Sequence, residues 1–527
     1  MEGFTLVSCT GSKPSIYDRA LAVYVRYANG DLVRCIGQHS QWVQLHWIKI
    51  RSAVAVGDSK LPHGCRVYWL ESNADLGFQE VNIYERSNVN QNSIAGLILE
   101  PSTAGYSIGN LPLDQFFAEL ILKRLNMDMV IPLTIPETSV DSTVEQLVNL
   151  FDKQLRYHVQ DDQWELQGRT YFALKVRFFV SRRLKLQLCL PAFPCKSSNH
   201  DKVMGVLPDR GEEIALRRLH LFVQQVERIY SPGALISIIS DGHVFSDCIG
   251  VDDRIVDKYG AYLKELNKAI ASCTGDGQHD RVQFQSLIDL LNLDHSVLAS
   301  TANKDELLNL PQLHHDLPTT LDEIAETCRR ILIAGCQPSR ENLRTQIDSQ
   351  NSPTLALYRG FSRFMLEDLD QHPLTQSLSR SRRKKLAAKV SFEMILRNQA
   401  YSNFIELMFP DYLRLSIHAH NNLGPKFGIR LFDSKTVRAV STLDSVFGKD
   451  GGESESDDDR VSTSHLLHIP TPWHNCVAQV VGDSRVYIVK YGIVKEALTI
   501  DRYYGDVVSG NLIEGEGAFV SLRKREG

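Results

Sequence analysis

A mostly parallel β-sheet flanked by helices, with a small β-rich domain ahead of it, is the α/β architecture this sequence predicts. Three observations carry that reading. Leu184, Leu186, Leu188 and Leu190 alternate with Lys185, Gln187 and Cys189, the period of two that marks a strand. Ala215, Leu219, Phe222, Val226 and Ile229 then recur every three or four residues as one apolar helical face. Ser231-Pro232-Gly233 interrupts that helix, and Ala234 to Ile239 runs as a short buried strand. A second polar stretch, Ser240 to Asp253, leads to an amphipathic helix carrying Ile255, Tyr259, Tyr262, Leu266 and Ile270. Right-handed crossovers make such strands parallel and bring both polar loops to one carboxyl-terminal edge. Helix N-termini offer free N–H groups and partial positive charge at that edge, so chemistry is expected there.

Bulk properties narrow the class. The 527 residues exceed what one compact core absorbs, and two or three domains are expected. Hydrophobic residues make up 43% and charged residues 23%, the balance of an ordinary globular protein. A net charge of −5 gives no general case for nucleic acid or an anionic membrane as partner. No apolar run approaches a bilayer span, and MEGFTLVSCTGSK lacks the regions of a secretory signal. The ten cysteines form no CxxC pair, and Cys189, Cys248 and Cys328 sit in apolar runs, as reduced thiols do. A cytoplasmic location is expected.

In chain order, residues 1–130 form the β-rich unit. AVYVRYANGDLVRCIG holds two alternating runs around Asn29-Gly30, a hairpin signal, and CRVYWLESNADLGFQEVNIYE is a second such unit. A carbohydrate- or partner-binding module and a structural appendage are both compatible with it. Residues 131–527 form the α/β domain. Pro112 to Asn126 and Ser142 to His158 read as helices, whereas 166–182 does not separate helix from strand. Asp209 followed by Glu212 is a helix N-cap with its capping-box carboxylate. Arg281 to Ser286 is a third strand, and Leu321 to Ala334, Thr354 to Asp370 and Ser379 to Asn398 are helices. The last opens with Arg380, Arg382, Arg383, Lys384 and Lys385, a solvated face, a nuclear signal or a phosphate tether. Tyr412 to Ile417 is a strand, the acidic insert 449–460 a disordered loop, and Arg485 to Ile500 and Gly517 to Leu522 are β-rich.

Three constellations could do chemistry. PAFPCKSSN (Pro191 to Asn199) stiffens a strand exit and presents Lys196 and Ser197, a cation and a hydroxyl suited to a phosphate or sugar. SDGHVFSDCIGVDD (Ser240 to Asp253) crowds Ser240, Asp241, His243 and Asp247 into one loop, where neighbouring carboxylates raise one another's pKa for acid–base work. Asp252 or Asp253 reads equally well as a cap of the next helix. RLSIHAHNNLGPKFG (Arg414 to Gly428) puts Arg414, Ser416 and His418 on one side of a strand, with Lys426 beyond. A phosphate would account for Arg414, and so would an internal salt bridge. His418 with His420 lacks the further ligands of a zinc site, and no metal is expected. GxGxxG, Walker, kinase and GxSxG signatures are all missing.

These segments together resemble the isonitrile (isocyanide) synthase family of pyoverdine/dityrosine biosynthesis type. The resemblance runs over residues 140–500 through LPAFPCKSSN with LPDRGEE, ISDGHVFSDCIGVDD and RLSIHAHNNLGPKFGI, and through RGFSRFMLEDL and IPTPWHN. It implies a Rossmann-like enzyme that converts the α-amino group of an amino acid into an isonitrile in secondary-metabolite biosynthesis. Ribulose 5-phosphate would be the one-carbon donor, with no redox cofactor and an oxygenase or desaturase downstream. Asp241, His243, Asp247 and His418 would then be catalytic, and Lys196, Ser197, Ser240, Arg414, Ser416 and Lys426 would bind substrate. Two other readings stay open: N-formylation of tyrosine for dityrosine-type wall precursors, and a non-catalytic module that binds a sugar phosphate or a protein.

Overall fold

The computed structural model describes seven β segments between residues 20 and 112 by their backbone. It then describes residues 137–525 apart from 182, 274–280, 300–316, 318, 337–339, 350–352, 410–411, 419, 441–469 and 501. Strands β1 (Ala20–Arg26), β2 (Leu32–Cys35), β3 (Arg66–Asn73), β4 (Phe78–Arg86) and β5 (Asn92–Leu99) pair antiparallel in the order β2-β1-β3-β4-β5. Val23 stands opposite Cys35 and Arg26 opposite Leu32, so the runs flanking Asn29-Gly30 do pair; the turn itself lies outside the described residues. Two short strands follow, β6 (Ser107–Ile108) and β7 (Leu111–Pro112). The helix expected from Pro112 to Asn126 falls outside the described residues beyond Pro112, as does the acidic insert 449–460.

The centre of the molecule is a five-stranded sheet in which every pair is parallel. Its strands are β8 (Leu186–Pro191), β9 (Ala234–Ser240), β10 (Val282–Ser286), β11 (Leu413–Ser416) and β12 (Lys426–Gly428). They lie in the order β10-β9-β8-β11-β12, so the chain moves outward in one direction from β8 and later restarts on its other side. Ligands of open parallel sheets bind outside the carboxyl ends of the strands at such a reversal.

Strand alternation explains how both faces are filled. Leu186, Leu188 and Leu190 enter one core layer, and Cys189 enters the other. The first layer is packed by helices α1 (Glu137–Gln154), α2 (Arg169–Val180, after a π-helical turn at Trp164–Gly168), α3 (Arg210–Ile229) and, below α4 (Gly242–Ile249), α5 (Asp253–Cys273). They contribute Phe151, Phe172, Leu219 and Tyr259. The second layer is packed by α4, α6 (Leu287–Leu291), α8 (Glu323–Cys336), α10 (Pro353–Asp368) and α11 (Arg380–Met408), with α7 (His295–Ala299) and α9 (Arg340–Asp348) between them in sequence. Each Leu or Phe sealed in these layers stabilises the fold by about 1.5–3 kcal/mol. The capping box forms as its residues require: Asp209 accepts from Gly211 N at 2.8 Å, and Asp209 N donates to Glu212 at 2.9 Å.

Three elements differ from the sequence expectation. Ser240 to Asp253 is not one loop, because α4 occupies most of it and ends at Gly250 with a left-handed φ of 78°. The helix expected from Ser379 to Asn398 continues to Met408 as α11. The apolar run from Arg485 to Ile500 is half strand and half helix, β15 (Val486–Val489) followed by α12 (Tyr491–Thr499), since Val494 and Ala497 repeat at helical spacing and are buried. β15 belongs to a second, mixed sheet with β13 (Val437–Val440), β14 (Cys476–Val480), β16 (Tyr503–Val508) and β17 (Phe519–Lys524), in the order β13-β15-β14-β17-β16. Among the described residues no helix is long and apolar enough to cross a membrane.

Buried ions lock α4 in place. Arg329 of α8 is fully buried and donates to both oxygens of Asp253 (2.9 and 2.8 Å), to Ser246 Oγ (3.1 Å) and to the His243 carbonyl (3.0 Å). Arg397 of α11, also fully buried, donates to the Val244 carbonyl at 3.0 Å and to the Asp247 carboxylate. Removing one partner of such a pair strands the other charge. Arg397→Leu is therefore expected to destabilise the protein by about 3–5 kcal/mol, with much of the loss recovered in the double variant carrying Asp247→Leu. Urea denaturation midpoints of the three proteins check this.

Candidate active site

The reversal of the sheet brings the exits of β8, β9 and β11 to one edge. The first two are stitched together: Ser240 Oγ donates to the Phe193 carbonyl at 3.0 Å. Gly242 allows the close approach, because a Cβ there would stand 2.3 Å from the Pro194 carbonyl oxygen. Between Ser240 and Gly242, Asp241 follows the carboxyl end of β9. Its side chain is partly covered, and its Oδ1 is sealed with no hydrogen-bond partner. Burial disfavours the charged form, and the Asp241 carboxyl is pushed up to about 7.

Tyr401 of α11 joins this acid to the other side of the reversal. Its hydroxyl donates to the Ile239 carbonyl at 3.0 Å. Burial keeps the phenol protonated well above its ordinary pKa; the charge of Asp241 reinforces that, and Arg414 opposes it. The charges of the expected catalytic acid and of the expected cationic anchor thus act on one phenol in opposite senses.

Beyond Tyr401 stand two basic side chains. The parallel register sets Arg414 of β11 opposite Lys426 of β12. Both reach Ser402 of α11: Arg414 donates to its carbonyl and its Oγ at 3.1 Å each, and Lys426 donates to the same Oγ at 2.7 Å. Ser416 Oγ accepts from His418 N at 3.2 Å and lies 2.9 Å from His420 Nε2. Burial, with His418, Lys426 and Arg414 around it, drives the His420 imidazole down to about 3, so it is neutral. Among the described residues, no group of three or more His, Cys, Asp or Glu side chains could hold a metal ion.

Four expected site residues serve other contacts. Lys196 is expected at an anionic ligand, but its fully buried ammonium lies 2.8 Å from each of Asp209, Glu212 and the Pro472 carbonyl. Burial works against that charge, and the two carboxylates outweigh it. Lys196 therefore ties the β8 exit to the capping box of α3. Asp247 and His243 are expected beside Asp241. The helical turn of α4 instead takes Asp247 inward to Arg397, and His243 Nε2 lies 3.0 Å from Asp257 on α5. Asp252 accepts from Thr320 N at 2.6 Å, and Asp253 pairs with Arg329. Ser197 donates to Asp368 at 2.8 Å.

That last contact opens a second polar cluster. Lys202 lies 2.8 Å from Asp368 and 4.5 Å from the centre of the Phe364 ring, and His474 Nε2 lies 3.9 Å from Asp368. Burial lowers His474 to about 4, so the imidazole is neutral. Burial works against the Asp368 charge, yet Lys202 and His474 hold its carboxyl below the usual range. Cys195 links the two clusters: burial pushes its thiol up to about 12, and Asp241 and Asp368 both add to the shift. Asp368 and His474 lie in RGFSRFMLEDL and IPTPWHN, the segments that could have flagged them; Tyr401, Ser402 and Lys202 stood in no such signal.

Comparison with known proteins places this geometry among relatives. Residues 176–500 match the family model described as pyoverdine/dityrosine biosynthesis protein. Spore wall maturation protein DIT1 of Saccharomyces cerevisiae is 42% identical over 381 residues, 72% of this chain and 68% of that protein. The L-tyrosine isonitrile synthase of Xenorhabdus nematophila is 30% identical over 261 residues, 50% of this chain and 68% of that protein. The crystal structure of the PvcA protein from Pseudomonas aeruginosa shares the fold, with a TM-score of 0.51 at 23% identity over 73% of this chain and 99% of that one.

The Asp241 environment has a consequence for stability. A carboxyl raised from 3.8 to about 7 on folding contributes stability below pH 4 that is lost as pH rises through 7. Asp241→Asn, which cannot ionise, is expected to be ~1–3 kcal/mol more stable than the parent at about pH 8 and nearly equal to it at about pH 4. Urea midpoints of both proteins across that range check the sign.

Proposed function

The chain belongs to the pyoverdine/dityrosine biosynthesis family, and on that premise we propose that it converts the α-amino group of an amino acid into an isonitrile with ribulose 5-phosphate as the carbon donor. The observation that carries the reading is the sealed, unpartnered Oδ1 of Asp241 just past the carboxyl end of β9. The order β10-β9-β8-β11-β12 supports a Rossmann-like sheet whose reversal lies between β8 and β11, next to that strand.

The chemistry asks for two things. The amine must attack the ketone, forming a carbon–nitrogen bond and losing the ketone oxygen as water, which needs one group that takes and returns protons. Asp241 suits this, because a carboxyl near 7 has both forms available at neutral pH. Both carbon–carbon bonds of the former ketone carbon must then break, the one-carbon C1 fragment and the three-carbon phosphate-bearing fragment leaving as protons are moved to and from them, and Asp241 and His418 are the candidates for that transfer. The donor must also be held by its phosphate. Arg414 and Lys426, side by side across β11 and β12, suit that anion, and Ser416 and Ser240 present hydroxyls near the same edge. Lys196, His243 and Asp247 support this reading as scaffold, since each is bound to interior partners.

A second reading has its own support. The 42% identity to a spore wall maturation protein favours a wall precursor, and with it N-formylation of tyrosine by the same condensation. The two products differ in composition: an isonitrile gains one carbon and loses two hydrogens, whereas a formamide gains carbon and oxygen as CO. Mass spectrometry of the full chain incubated with each standard amino acid and ribulose 5-phosphate is expected to show the isonitrile. Asp241→Asn should lower its yield by roughly a hundredfold or more, as loss of a general acid–base does. No new product with any amino acid would remove both readings.

A further inference from the structure

Asp368 is the last residue of α10 and His474 ends the short turn Pro472–His474, yet their side chains meet beside the exit loop of β8. We propose that Asp368 Oδ2 and His474 Nε2 form a subsite for a primary α-amine, each atom accepting one of its N–H bonds. That this amine belongs to the amino acid substrate rests on the function proposed above; the subsite itself rests on how the two side chains divide their polar atoms.

Asp368 uses its two oxygens unequally. Oδ1 accepts from Ser197 Oγ at 2.8 Å and lies 2.8 Å from Lys202 Nζ. Oδ2 takes no hydrogen bond among the described residues, and His474 Nε2 stands 3.9 Å from it. The carboxyl is held below its usual range, and so charged, at a helix C-terminus, where the dipole disfavours an anion. His474 turns its other ring nitrogen to Thr471, with Nδ1 3.0 Å from Oγ1. An Nε2–H beside a charged carboxylate would close to about 2.8 Å. The wider gap therefore fits a ring whose proton sits on Nδ1 and whose Nε2 carries a lone pair. Burial keeps this imidazole neutral, and Phe364 packs edge-on against it with centroids 4.9 Å apart, which fixes its plane. Both side chains keep some open surface, 14% for Asp368 and 27% for His474.

Two acceptors at this spacing suit one nitrogen about 3 Å from each, within the angular tolerance of N–H bonds. An alcohol has a single proton and answers only one of them. A primary amine answers both and keeps a third position, which is a proton in the ammonium and a lone pair in the free amine. Lys202 already offsets the Asp368 charge, so the subsite does not trap that third proton. Its loss to water leaves the lone pair that attacks the ketone. The place is right for this step. Ser240 ties the β9 exit to Phe193, and Ser197 ties the same loop to Asp368, so four residues, at most about 14 Å of chain, separate the two attachments. The Cys195 thiol lies between them on that loop, and both Asp241 and Asp368 act on it.

The test uses the full chain, Asp368→Asn, His474→Ala and His474→Gln. Asn keeps an oxygen for Ser197 while losing the charge, and Gln keeps an acceptor where Nε2 stands. The probes are the standard amino acids that carry a primary amine, each titrated calorimetrically beside the same molecule lacking the amine. The parent is expected to prefer at least one amino acid over its des-amino counterpart by roughly ten- to a hundredfold, the contribution typical of hydrogen bonds to a charged group. Asp368→Asn and His474→Ala should bring the two affinities close together, and His474→Gln should restore most of the preference. No preference in the parent, as when water alone fills the place, overturns the subsite. So does an equal loss for both molecules in Asp368→Asn and His474→Ala, which is what a merely structural role produces. If the preference depends on Asp368 and His474 but the parent makes no product with ribulose 5-phosphate, the proposed reaction fails and the subsite stands. If product forms and both variants keep the preference, the subsite fails and the reaction stands.

Discussion

Two guanidinium groups sealed from water hold the working edge of this protein in place. Arg329 and Arg397 reach α4 from opposite helices and together take up Asp253, Asp247, Ser246 and two main-chain carbonyls. Charges this deep are tolerated only when every partner is present, so the network favours one arrangement of α4, α8 and α11. Asp241 immediately precedes α4. The exit of β9 inherits its position from the ions beneath it.

Local physics was readable in the sequence, and long-range pairing was not. The Leu186–Leu188–Leu190 alternation, the break at Pro232-Gly233 and the Asp209/Glu212 capping box depend on residues a few positions apart, and each appears where the pattern puts it. Asp241 and Arg414 stood out as candidates because a strand exit and a charged strand residue are unusual in themselves. Lys196, His243 and Asp247 looked equally chemical, but their partners lie far along the chain: Pro472 is 276 residues from Lys196, and Arg397 is 150 from Asp247. A polar residue type says that a partner is needed without saying which. The helix α4 was hidden for a related reason, since its buried polar residues mimic the composition of a loop. Ser402 gave no signal at all, because a lone serine on a long helix acquires meaning only from the strands packed beside it.

The site has an internal division of charge. On the β11–β12 side, Arg414 and Lys426 stand around a neutral His420. On the β8 side, Lys202, Ser197 and His474 surround Asp368 and nearly cancel it. Asp241 lies between, sensed by Tyr401 on one side and Cys195 on the other. An acid whose charge is made costly by burial has both its forms available near neutrality.

Helix α11 carries Arg397, Tyr401 and Ser402 within six residues, one pinned to α4, one to β9 and one to the paired cations. Successive residues of a helix are rotated by about 100°, so shifting α11 by a single position would swing the serine away while also tearing the arginine from its carboxylate. The helix behaves like a key with one angular setting. Change along this face would have to proceed by exchanging side chains in place, because sliding the backbone would unseat the core first.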